Sequence, residues 1–311
     1  MKKIIFIFCC FITLSAYSQS VEDNPEVRNW LDNMFQHLDK SKVPYGYLRD
    51  YAFELADLDI YNGKELNDSN YVNRTAFENL LRTMRSASVG TKPYNVDEIL
   101  SAQYALDKEN AGIMGVLIYQ YSYIREDALS KNLIRYENEQ VYDNTVNGVW
   151  QNPYATGYTL GFSAQDTTLY GSRIDYSFPS AIWKSNVSVS SVEFDADDGR
   201  GYFAISKGGS YSVNYSSGGI KHLKLRVKLS SGSFLYSHGL VKTISSEKMT
   251  RARDGEIIAD KIIDIMDAQP YNGKKAEGRI SFLYSRNNPG KITKPFIVME
   301  GFDPLELAPK G

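Results

Sequence analysis

Asp195, Asp197 and Asp198 crowd one Gly-ended stretch, Asp195-Ala-Asp-Asp-Gly199, and hard carboxylate oxygens so placed could ligate Ca²⁺. The pattern departs from the EF-hand: the third acid comes one residue early, and no Glu closes the loop. A turn at a strand end is the favoured reading, since Asp and Gly are ordinary turn formers. Tyr119, Tyr121 and Tyr123 alternate along what reads as a strand, so their rings share a face. Exposed, that ladder could stack on sugar rings or a partner protein; buried, it is cross-strand packing, the favoured alternative. The three histidines, His37, His222 and His238, show no His-Glu-x-x-His spacing. His238, in Ser237-His-Gly239, could serve as a base, but no nucleophile motif accompanies it, and structural roles are favoured for all three. Last, Phe296-Ile-Val-Met-Glu300 reads as a buried strand running into Gly301-Phe302, the kind of strand end where ligands sit in α/β proteins.

The elements that must position these groups change character along the chain. Val27, Trp30, Leu31, Met34, Phe35 and Leu38 recur at helical spacing after Pro25, which suits a first turn. Pro44-Tyr-Gly46 breaks the pattern, and Leu48, Tyr51, Ala52, Leu55 and Leu58 resume it up to Asn62-Gly63. A further helix is predicted over 73–84, with Phe77, Leu80 and Leu81 inward, and a short helical turn over 96–103. Gly112–Ile124 is β-branched and aromatic, hence a strand, whereas Leu129–Asp143 is ambiguous. From Gly148 to Leu240, short alternating runs separated by Gly, Ser, Asn and Asp predict a β-sandwich. The strands expected there are 159–163, 173–178, 188–194, 202–205, 211–215 and 223–229. Beyond it, 256–266 reads as a helix with an isoleucine face, and 278–285 and 296–300 as strands.

Two stretches carry resemblances. Ser191-Val-Glu-Phe-Asp-Ala-Asp-Asp-Gly199, Gly208-Gly-Ser-Tyr-Ser-Val-Asn-Tyr-Ser-Ser-Gly-Gly219 and Lys221-His-Leu-Lys-Leu-Arg-Val-Lys228 together resemble the PKD family of immunoglobulin-like domains. Asp195-Ala-Asp-Asp-Gly lacks that family's usual first Gly. PKD-like modules act as spacers or as sites for proteins and glycans. Phe296-Ile-Val-Met-Glu-Gly-Phe302 resembles the strand and His-Gly-Phe turn of lipase-like α/β-hydrolases, with Glu300 where that family has His. The resemblance, spanning Arg279 to Pro304, implies that Gly301 is the turn glycine and the Phe302 N–H an oxyanion-hole donor. No Gly-x-Ser-x-Gly occurs, so a catalytic nucleophile would lie in a downstream domain of the same polypeptide, and this chain alone would be inactive. The expectation is the front portion of a larger protein.

The resulting fold class is α+β and multidomain. It comprises a signal peptide at 1–18, a mainly helical region at 19–145, a PKD-like sandwich at 146–242 and a partial α/β domain at 243–311. Lys2 and Lys3, the apolar run Ile4–Leu14 and Ala16-Tyr17-Ser18 make residues 1–18 a Sec-type signal, cleaved before Gln19. The destination is extracellular, cell-surface or periplasmic. Both cysteines, Cys9 and Cys10, leave with that peptide, which excludes disulfides, thiolate metal sites and a cysteine nucleophile from the mature chain. Its formal charge moves from −2 to −4, giving no electrostatic reason to expect nucleic acid or an anionic membrane. There is no phosphate loop or dinucleotide fingerprint, no cofactor is expected, and no second long apolar run suggests a membrane span. Two functions are in view: the catalytically incomplete portion of an exported esterase- or lipase-like protein, or a non-enzymatic surface protein binding a glycan or protein partner.

Overall fold

A computed structural model describes residues 24–106, 111–244, 261–265 and 278–282. Contacts group Val21–Lys248 into one compact unit, while 261–265 and 278–282 belong to another. Residues 1–18, expected to be a signal peptide, and Phe296–Phe302, expected to be a strand and turn, lie outside the described residues.

Among the described residues, three α-helices precede all the strands: α1 (Pro25–Met34), α2 (Arg74–Ala87) and α3 (Val96–Ala105). Each begins where an Asn can supply an acceptor to the unpaired first-turn amides. Asn24 Oδ1 accepts from Glu26 N at 2.9 Å, Asn73 Oδ1 from Ala76 N at 2.8 Å, and Asn95 Oδ1 from Asp97 N at 3.0 Å. The helix expected over Leu48–Leu58 is instead a 3-10 turn at Arg49–Tyr51 followed by irregular chain. Tertiary contacts override the local periodicity here. Phe53 N donates to Ser86 Oγ, and Leu55 N and Ala56 N donate to Thr83 Oγ1, so α2 side chains satisfy amides that a helix would have paired internally.

The strands in Val21–Lys248 start with β1 (Ala111–Ile124), β2 (Ile134–Glu137), β3 (Gln140–Asp143), β4 (Thr145–Val146) and β5 (Val149–Trp150). Next come β6 (Tyr154–Ala164), β7 (Thr168–Tyr170), β8 (Arg173–Ser177), β9 (Trp183–Ser185) and β10 (Val189–Asp195). The last are β11 (Phe203–Ile205), β12 (Ser210–Asn214), β13 (Gly219–Leu229) and β14 (Phe234–Ile244). The ambiguous stretch 129–143 contains the β2–β3 hairpin. One five-stranded sheet has the order β12-β8-β1-β6, with β9 also on β1; the other runs β11-β10-β13-β14-β7. Side chains from both sheets share one core, including Val116, Ile118, Phe162, Tyr176, Phe194, Leu225 and Val227, which gives this α+β unit a β-sandwich-like part. Its central strand, β1, comes from the stretch that the sequence grouped with the helices.

Position parity explains how β1 serves two layers. Met114, Val116 and Ile118 enter the core between the sheets, while Ile113, Leu117, Tyr119 and Tyr121 enter a second core with Phe77, Leu80, Leu81 and Met84 of α2. Both faces are covered, so the run is apolar throughout rather than alternating. Gly115 permits the close approach of α2: a Cβ there would sit 2.6 Å from the Phe77 ring. Burying each such Phe or Leu contributes about 1.5–3 kcal/mol. A third core joins Leu31 of α1 to Phe35, Leu48, Tyr51, Ile134, Val141 and Tyr154.

The other unit contains one described hairpin, β15 (Lys261–Ile265) paired antiparallel with β16 (Gly278–Phe282). The helix expected over 256–266 is therefore corrected to strand at Lys261–Ile265. Its isoleucines are β-branched, and their stiff side chains favour an extended backbone paired with β16. The strand expected at 278–285 is present over Gly278–Phe282.

Candidate functional site

Tyr119 and Tyr121 are 4% and 1% exposed, so the tyrosine ladder is packed beneath the helices rather than open for stacking. Tyr119 meets Tyr47 edge-on at 5.2 Å and Tyr94 at 6.2 Å. Tyr123 is half-buried, with the Arg49 guanidinium 4.8 Å above its ring. Gly157 on β6 makes room for Tyr121, whose ring lies 2.5 Å from where a Cβ would stand.

The three aspartates shape the turn after β10. Asp195 Oδ1 accepts from Asp197 N at 2.9 Å, and Asp198 Oδ1 accepts from Arg200 N at 3.1 Å. Asp197 takes a positive φ of 58°, which an Asx turn tolerates. Asp197 Oδ2 accepts from His222 N at 3.0 Å, Asp195 faces Lys224 at 3.7 Å, and Asp198 pairs with Arg200. Among the described residues, no three His, Cys, Asp or Glu side chains gather as metal donors. Beneath the turn, Tyr215 donates to Ala196 O at 2.7 Å and meets the Tyr176 hydroxyl at 2.8 Å. Burial pushes the Tyr215 phenol up to about 12, so it remains a protonated donor at neutral pH.

Two of the three histidines meet on the outer face of the second sheet. On β13, Leu223, Leu225, Val227 and Leu229 point inward, so His222, Lys224, Arg226 and Lys228 point outward. His238 on β14 lies opposite Lys224. Tyr71 stacks on the His238 ring at 3.8 Å and 17°, while its hydroxyl lies 3.1 Å from His222 Nδ1. His238 Nε2 lies 2.7 Å from Asn70 Oδ1 and 3.1 Å from Asn67 O. Both partners are acceptors, so Nε2 carries the ring proton and is not free to act as a base. His37 is distant in role: it is exposed and stacks on Tyr142 at 4.3 Å. Asn67, Asn70 and Tyr71 were not singled out for this cluster; the available signal was the polar composition of Glu65–Asn70 between apolar runs.

The same face carries a cationic–aromatic strip toward the β13–β14 turn. Arg226 lies over Tyr202 at 4.4 Å and over Phe234 at 5.5 Å, and pairs with Glu193 at 2.6 Å. Lys228 approaches Phe234 at 5.7 Å, and Phe234 stacks alongside Tyr236 at 6.4 Å. Phe234 remains 40% exposed. Elsewhere, an open cleft of about 490 Å³ is lined by Lys40, Tyr45, Tyr47, Ser88 and Thr91. Tyr45 stands at this cleft with φ 63°, a conformation uncommon for an aromatic residue. Among the described residues, no helix is long and apolar enough to cross a membrane. No known family matches the chain, and no curated protein does.

Proposed function

We propose that Val21–Lys248 is a non-catalytic, exported binding module whose outer strip, Tyr202, Arg226, Lys228, Phe234 and Tyr236, recognises an anionic glycan. The observation that carries this is the exposed Phe234 ring on the β13–β14 pair, flanked by Lys228 and by Arg226, which Glu193 pairs. An aromatic face packs against the C–H face of a sugar ring, and adjacent cations attract carboxylate or sulfate substituents. The strip contrasts with the chain's negative formal charge of −2.

Affinity electrophoresis through gels containing polygalacturonate or neutral dextran tests this reading. Retardation is expected with polygalacturonate alone, weakening as salt rises and in Phe234→Ala and Lys228→Ala. Equal mobility in both gels, or full retardation of both variants, overturns it. The hydrolase reading rests on Lys294–Pro304, outside the described residues, and stands as a sequence expectation.

A further inference from the structure

The segment Ile60–Val72 runs along a seam of the sandwich and bonds to both sheets. Its Tyr61 carbonyl accepts from Leu160 N at 3.0 Å and Thr159 Oγ1 at 3.1 Å, both on β6. Its Gly63 carbonyl accepts from Tyr236 N, and its Val72 N–H donates to His238 O, each at 2.8 Å on β14. Backbone groups at sheet edges are thereby satisfied by a segment with no regular strand of its own. Gly239 allows that approach, because a Cβ there would lie 3.0 Å from Val72 O.

A side-chain junction at Asn70 ties the segment together, beside local turns in which Asn62 Oδ1 accepts from Lys64 N and Asn67 Oδ1 from Ser69 N. Asn70 Oδ1 accepts from Asn67 N at 3.0 Å, and Asn70 Nδ2 donates to Glu65 O at 2.7 Å. His238, 5% exposed, donates into the same junction through Nε2 while Tyr71 covers its face. We propose that Ile60–Val72 is a pH-sensitive clasp: protonating His238 at Nδ1 leaves its Nε2–H bonds intact but puts a cation in a buried site under Tyr71 and opposite Lys224, and opening the segment returns that charge to water.

The groups around His238 set the direction. Lys224 lies across from it on β13, and His222 on the same strand touches Tyr71. On the other side, Asp68 belongs to the clasp, while Asp195 of β10 is paired with Lys224. Burial holds His238 below the usual imidazole value; the Asn67 carbonyl and Asp68 oppose this, while His222 and Lys224 add to it. A folded-state value below the unfolded one means that the loosened state binds the extra proton. The clasp's stabilisation is therefore fully present above the ordinary imidazole value and is lost as pH falls through the lowered one.

Amide hydrogen exchange on the whole chain, at about pH 7.5 and about pH 5 and corrected for intrinsic rates, tests the clasp. Val72, Leu160 and Tyr236 amides should lose protection severalfold at the lower pH, while Leu117 and Val227 amides keep theirs. His238→Gln retains a neutral donor and should hold the clasp shut at both values; His222→Gln should still open. Equal protection at both pH values in the wild type, or the same loss in His238→Gln, overturns the proposal. Should His238→Gln not fold, an NMR titration of the wild type decides: coincident His238 ring and Val72 amide midpoints support the clasp, and separated midpoints refute it.

Discussion

β1 runs through the middle of its sheet and Ile60–Val72 along a seam of the same unit, and different forces hold them. β1 pairs with β6 continuously from Met114 to Ile124 and buries side chains into both adjoining cores. The segment has few backbone bonds to the sheets and is tied together by an Asn–His junction. Many small contributions hold β1, so no single titrating group controls it. Ile60–Val72 depends on far fewer contacts, with Asn70 and His238 joining its two ends, so one proton or one substitution there should weigh more heavily. The contrast separates an element that fixes architecture from one able to respond to conditions.

The largest expected effect falls on the β1 side. Phe77, 1% exposed, fills the space above Gly115, and Phe77→Ala should destabilise the unit by about 3–5 kcal/mol in urea unfolding. Far-UV circular dichroism and tryptophan fluorescence should shift together; separate transitions would break the comparison. A smaller, local effect belongs to the clasp. Asn70→Ala removes the shared acceptor for Asn67 N and His238 Nε2, and should cost about 1–3 kcal/mol. That loss should appear in Val72 and Tyr236 exchange while Leu117 stays protected, and a matching loss at Leu117 would erase the distinction.

These two regions also differ in how far the sequence reveals them. The apolar, β-branched character of Gly112–Ile124 marks a buried strand, and parity alone aligns its tyrosines. Which layers cover its faces is a tertiary fact, so the strand was grouped with the helices rather than with the sandwich. β6, β8, β10, β11, β12 and β13 are legible because alternation and turn residues are local signals, whereas the three-residue strands β7 and β9 are too short to show a period. Leu48–Leu58 was misread because Ser86 and Thr83, distant in sequence, satisfy its amides. At Lys261–Ile265 an isoleucine-rich run permits either period, and pairing with Gly278–Phe282 selects the strand. The Asp195–Asp198 turn followed from composition. The clasp did not, since His238 and Asn70 lie 168 positions apart and no short motif links them.

Because β1 buries side chains into both cores, the helical layer and the sandwich should open as one cooperative unit. Native-state hydrogen exchange over a urea series tests it most directly, by comparing Leu80 and Leu81 amides in α2 with Leu225 and Val227 amides in β13. All four should converge on one global opening with the same free energy and urea dependence. Exchange of the α2 amides through a separate, lower-energy opening that leaves β13 protected would contradict it.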